Sequence, residues 1–118
     1  MTLSDQLTVV ITTHILPTAP STHIIEECIN SIKKQFKGIN KCKFLVFCDV
    51  KNIEEWASKE YISNLSKING IDINIEINSG LKQNYIKAIE NINTPFMLFC
   101  EHDWAFLRKI NTKVLQLF

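Results

Sequence analysis

No stretch of this 118-residue sequence approaches the roughly 20 consecutive apolar residues that a bilayer-spanning helix needs. The opening Met1-Thr2-Leu3-Ser4-Asp5 lacks the basic region of a signal peptide, so a soluble, cytoplasmic protein is expected. Runs of like charge are missing too. The lysines are scattered and the formal net charge is +1, which excludes the basic surface with interleaved aromatics of a nucleic-acid binder. The four cysteines, Cys28, Cys42, Cys48 and Cys100, form no CxxC pair and stand inside apolar segments. There free cysteine behaves as a small hydrophobe, so reduced core residues are expected. What is present, 46% hydrophobic and 21% charged residues, is ordinary for a globular chain. Its length fits a single domain spanning 1–118.

Four segments read as strands. Leu7 to Thr13 and Lys43 to Val50 are continuous apolar runs rich in β-branched residues, as in strands buried on both faces. The first is expected at the centre of a parallel sheet. Ile71 to Ile77 alternates strictly, which predicts an edge strand with one exposed face. Phe96 to Cys100, introduced by Thr94-Pro95, is again continuously apolar and reads as buried.

Between the strands lie three helical patterns. Ser21-Thr22 offers N-cap chemistry to a helix carrying Ile24, Ile25, Cys28, Ile29, Ile32 and Phe36 and ending near Gly38. Asn52 and Glu55 resemble a capping box for a second helix, whose apolar face is Ile53, Trp56, Ala57, Tyr61, Leu65 and Ile68. Asn78-Ser79-Gly80 turns into a third, with Leu81, Tyr85, Ala88, Ile89 and Ile92. The β-α-β-α-β-α-β order predicts an α/β fold of Rossmann-like type, three layers deep, around a mainly parallel sheet of about four strands.

Ligands of such sheets bind beyond the carboxyl ends of the strands. Thr12, Thr13, His14, Asp49 and the run Glu101-His102-Asp103 all fall at such ends. On an extended backbone Glu101 and Asp103 share one side, and His102 is expected to point away from them. Paired carboxylates are hard oxygen ligands suited to Mg²⁺ or Mn²⁺, which complete their shells with substrate phosphates. Asp49 suits either a ligand contact or the N-cap of the next helix.

In these residues the chain resembles the GT-A fold glycosyltransferases that use nucleotide sugars, especially the inverting family 2 type. The resemblance runs from about Leu7 to Trp104. It is carried by Val9 to His14, by Asp49 after Phe44 to Cys48, by Asn78-Ser79-Gly80 with Asn84, and by Thr94 to Asp103. It implies that Thr12 and His14 contact the nucleotide base, that Asp49 hydrogen-bonds the base, and that Glu101 lies near the ribose. Glu101-His102-Asp103 stands where the family has its Asp-x-Asp motif, with Glu101 replacing the first acid. The motif implies that Asp103, with Glu101, holds a Mn²⁺ or Mg²⁺ cofactor bridging the diphosphate of a nucleoside-diphosphate sugar.

The chain departs from the family in three places. Val50-Lys51-Asn52 stands where a second acid and a Gly-Ser turn are common, and Lys82-Gln83 where an arginine is often found. Ala105 to Phe118 holds no Asp, Glu or His to serve as the general base of inversion. The expected function is therefore donor binding by a C-terminally truncated catalytic domain, incomplete for transfer by itself and with its catalytic residues unknown. The alternative is a non-catalytic nucleotide-binding or assembly module of the same fold. Truncation would bare apolar surface and a strand edge, so a homo-oligomer is expected. A receiver domain would need an acidic cluster where Thr12-Thr13-His14 stands, and a nucleotidyltransferase-like domain a glycine-rich loop that the sequence lacks.

Overall fold

The computed structural model describes residues 3–14, 21–52, 54–77 and 80–104. Four parallel strands, β1 (Leu7–His14), β2 (Lys43–Val50), β3 (Ile71–Ile77) and β4 (Phe96–Glu101), form one sheet in the order β3-β2-β1-β4. The helices are α1 (Leu3–Gln6), α2 (His23–Gln35), α3 (Trp56–Ser66) and α4 (Gly80–Asn91), and a 3₁₀ turn covers Ile39–Lys41. The order makes β1 a central strand and β3 an edge, as their apolar patterns predict. No helix of the described residues is long and apolar enough to cross a membrane.

Strand pleat divides the core in two. Val9 and Ile11 of β1 and Phe44, Val46 and Cys48 of β2 pack with Ile25, Cys28, Ile29 and Ile32 of α2 and with Tyr61 and Leu65 of α3. The alternate residues Val10, Leu45 and Phe47 pack with Ala88 of α4, and Met97 and Phe99 join them. The sheet is thus the middle of three α/β/α layers. After β3 the chain crosses back through α4 to the far side of β1, the reversal of strand order at which such folds build their crevices.

Several local expectations give way. Thr22 makes no side-chain cap to α2; its hydroxyl donates to Glu26 Oε2 at 2.8 Å, and Ser21 Oγ accepts the His23 N–H at 3.2 Å. The capping box at Asn52 does not form, because Asn52 Oδ1 accepts the Glu54 N–H in a turn and the helix begins only at Trp56. Ile53 lies outside the described residues, as do Asn78 and Ser79.

Starting at the first helical turn, Trp56 is 71% exposed instead of joining the core with Tyr61. Trp56→Ala is accordingly expected to change stability by no more than about 0.5 kcal/mol, measured by urea denaturation. A loss of about 3 kcal/mol or more would show it packed.

Two apolar patterns are also less buried than they read. On α4 only Asn84 and Ala88 are buried, and Leu81, Tyr85 and Ile89 remain substantially exposed. The small inward residue Ala88 gives this helix a narrow seat on the sheet. β4 is less buried than its apolar run reads: among the described residues it lies at an edge, with the bared apolar surface expected there, pairing with β1 alone and leaving Phe96 to Phe99 half-buried.

Candidate functional site

β1, β2 and β4 end at one rim. Their register sets Thr12 beside Glu101 and His14 beside Asp49. Counting in twos along each strand, Thr12 and His14 share a face with Val10, Asp49 with Leu45 and Phe47, and Glu101 with Phe99. These four side chains therefore emerge on the side of the sheet covered by α4, whose first turns bring Leu81 and buried Asn84 over them. The result is a cleft of about 230 Å³, closed at the β4 end by His102 and Asp103. All five candidate residues, Thr12, His14, Asp49, Glu101 and Asp103, line it.

Asp49 has a structural duty as well. Its Oδ2 accepts the Gly80 N–H at 2.8 Å, so it caps the start of α4. Gly80 has φ of +80°, a left-handed conformation that suits glycine. A carboxylate at this end is favoured by the helix dipole. The anion position at the head of α4 is thus held by Asp49, and Lys82 and Gln83 in the same turn face outward.

His102 sits on the Thr13 side of the rim, as strand alternation predicts: its side chain bonds Thr13, which faces α3, whereas Glu101 shares a face with Phe99 on the α4 side. β4 ends at Glu101 and the chain turns, with the His102 N–H donating to the Thr12 carbonyl at 2.9 Å and the Trp104 N–H to the Glu101 carbonyl at 3.1 Å. His102 is only 5% exposed and lines the cleft together with Thr13. Its Nδ1 sits 2.8 Å from Thr13 Oγ1, and the Thr13 hydroxyl is in turn hydrogen-bonded to Tyr61 of α3. The His14 ring lies against it, centroids 4.7 Å apart.

Burial lowers the His102 pKa below the ordinary value; His14 adds to this, and Asp103 and Glu101 oppose it. Tyr61 is pushed up to about 12 by burial, against the Thr13 hydrogen bond. Both groups are therefore neutral at neutral pH. The direction of the chain follows from cost. A buried phenol without an acceptor loses about 1–3 kcal/mol, and Thr13 is the acceptor Tyr61 has among the described residues. Tyr61 thus donates to Thr13, Thr13 donates to Nδ1, and the imidazole proton resides on Nε2.

Among the described residues no group of three or more His, Cys, Asp or Glu side chains is arranged to hold a metal ion. The donors present, Glu101 and Asp103, do not make a closed protein cage. They do match a hard cation that takes one or two carboxylates and completes its shell with phosphate and water.

The sequence places Thr13 and His102 at the rim beside the five candidate residues, but gives no sign of Leu81 in the wall or of Tyr61 behind Thr13. Parity is the signal toward Tyr61, since Thr13 falls on the α3 side of β1. Compared with known proteins, the chain matches no family model, no curated protein and no solved structure.

Proposed function

We propose that this cleft binds the diphosphate part of a nucleoside-diphosphate sugar with a divalent cation, as the donor-binding half of a GT-A-like glycosyltransferase does. The observation that supports this is convergence. Thr12 and His14 from β1, Asp49 from β2, and Glu101 and Asp103 from β4 and its turn meet in one cleft at the reversal of strand order.

In this reading Glu101 and Asp103 hold the Mn²⁺ or Mg²⁺, while Thr12 and His14 border the base. Asp49, its Oδ2 committed to Gly80, fixes the α4 end of the cleft as much as it meets the ligand. When bound, the cation supplies Lewis-acid stabilisation of the charge that develops on a departing diphosphate. The cleft, at about 230 Å³, is smaller than the roughly 300–1,000 Å³ of sites that enclose a whole ligand. It fits the diphosphate and an adjoining ring, and the rest of the donor would lie outside it. The activity these residues support is donor binding.

Calorimetry with UDP, GDP and dTDP in the presence of Mn²⁺ tests it. At least one should bind with a Kd between about 1 μM and 1 mM, the ordinary range of enzyme substrates, and lose binding when the metal is chelated. Absence of binding by all three would refute the reading.

A further inference from the structure

We propose that His102 is a ligand-contacting residue, donating a hydrogen bond from Nε2 to a phosphate oxygen in the cleft, with Thr13 and Tyr61 as the positioning residues that fix its tautomer. This deepens the reading above and rests on it for the ligand's identity. The observations are geometric. Nδ1 is taken by the Thr13 hydroxyl at 2.8 Å, and Thr13 is held in turn by Tyr61. Nε2 is therefore the polar atom the ring has left, and His102 lines the cleft that Glu101 and Asp103 also line.

A protonated Nε2 is a donor among carboxylates that can only accept. The cleft's two acids at this end recruit a cation, and a phosphate bound to that cation still needs N–H or O–H donors for its other oxygens. His102 supplies one without adding a charge. The His14 ring packs beside the imidazole, 4.7 Å away and tilted by 48°. Three elements, β1, α3 and the turn after β4, thus combine to orient one N–H.

Nitrogen NMR of the imidazole and diphosphate titrations together test this. In the wild-type chain at pH 7.5, above the ordinary His range, His102 should show the Nε2–H tautomer, and Thr13→Val should give a mixture. An Nδ1–H tautomer in the wild type overturns the proposal.

The substitutions His102→Gln and His102→Asn then separate the donor from the anchor. Gln can place an N–H near the Nε2 position, whereas Asn reaches only the Thr13 contact. UDP, GDP and dTDP with Mg²⁺ are the probes. Asn should weaken binding by about tenfold, the value of one hydrogen bond to a charged group, and Gln should recover most of it. Binding by the wild type that Asn leaves unchanged overturns the role of His102 and spares the broader reading. A wild-type chain that binds none of the three overturns both.

Discussion

Asp103→Asn is expected to reduce cation-dependent nucleoside diphosphate binding by at least about 100-fold, because residues that merely support a metal ligand already cost about 10–100-fold when lost. The fold should not notice. Asp103 is exposed in the turn after β4, and surface substitutions of this kind stay within about 0.5 kcal/mol. Asp49→Ala gives the contrast. It removes the acceptor of the Gly80 N–H, which as a helix cap is worth about 1 kcal/mol, so thermal stability and binding should fall together. Calorimetry with Mn²⁺ beside a thermal melt distinguishes the two behaviours. Asp103→Asn binding at the wild-type affinity would remove the carboxylate pair from the site, and an unchanged melt for Asp49→Ala would remove the cap.

That Asp49 serves α4 shows where sequence reading stops. The continuous apolarity of Leu7 to Thr13 announced a central strand because only burial on both faces tolerates it, and β1 is buried from Leu7 through Thr13. Strict alternation placed β3 at an edge for the converse reason. Once those two positions were known, the rim residues followed from strand ends alone. Tertiary partners did not. Asp49 and Gly80 are separated by α3 and β3, and nothing local says which helix a carboxylate at a strand end will cap.

The same limit explains β4. Phe96 to Cys100 is as apolar as a central strand, yet it lies at an edge where α4 and the sheet face half-cover it. His102 follows the pleat one residue beyond β4: its N–H donates to the Thr12 carbonyl, the last rung of the β1–β4 pairing, and its ring lies beside Thr13. Helix starts depart from the sequence pattern where a polar side chain has a competing partner: the Thr22 hydroxyl donates to Glu26, and Asn52 Oδ1 accepts the Glu54 N–H. Such residues offer several local bonds of similar strength, and packing chooses among them.

Stability is expected to fall by about 4 kcal/mol between pH 8 and pH 10, because three thiols under the site stay protonated in the folded chain and ionise in the unfolded one. Burial pushes Cys28 up to about 11, helped by the negative charge of Asp103. It pushes Cys48 and Cys100 up to about 12, with smaller contributions from Asp49 and Cys28 respectively. The unfolded thiol ionises near 9.0. Each group's folded pKa is raised, so its stability is fully present below 9 and is lost as pH rises toward 11–12. Over that window each thiol costs about 1.4 kcal/mol per pH unit. The total is a large share of the roughly 5–15 kcal/mol that holds a domain together. Urea denaturation followed by circular dichroism at pH 8, 9 and 10 measures it. Cys48→Val replaces the thiol by an apolar group and should remove about a third of the loss between pH 8 and 10. If the variant loses as much as the wild type, the buried thiols are not its source. If the wild type is equally stable at both pH values, the thiols are not protected by the fold.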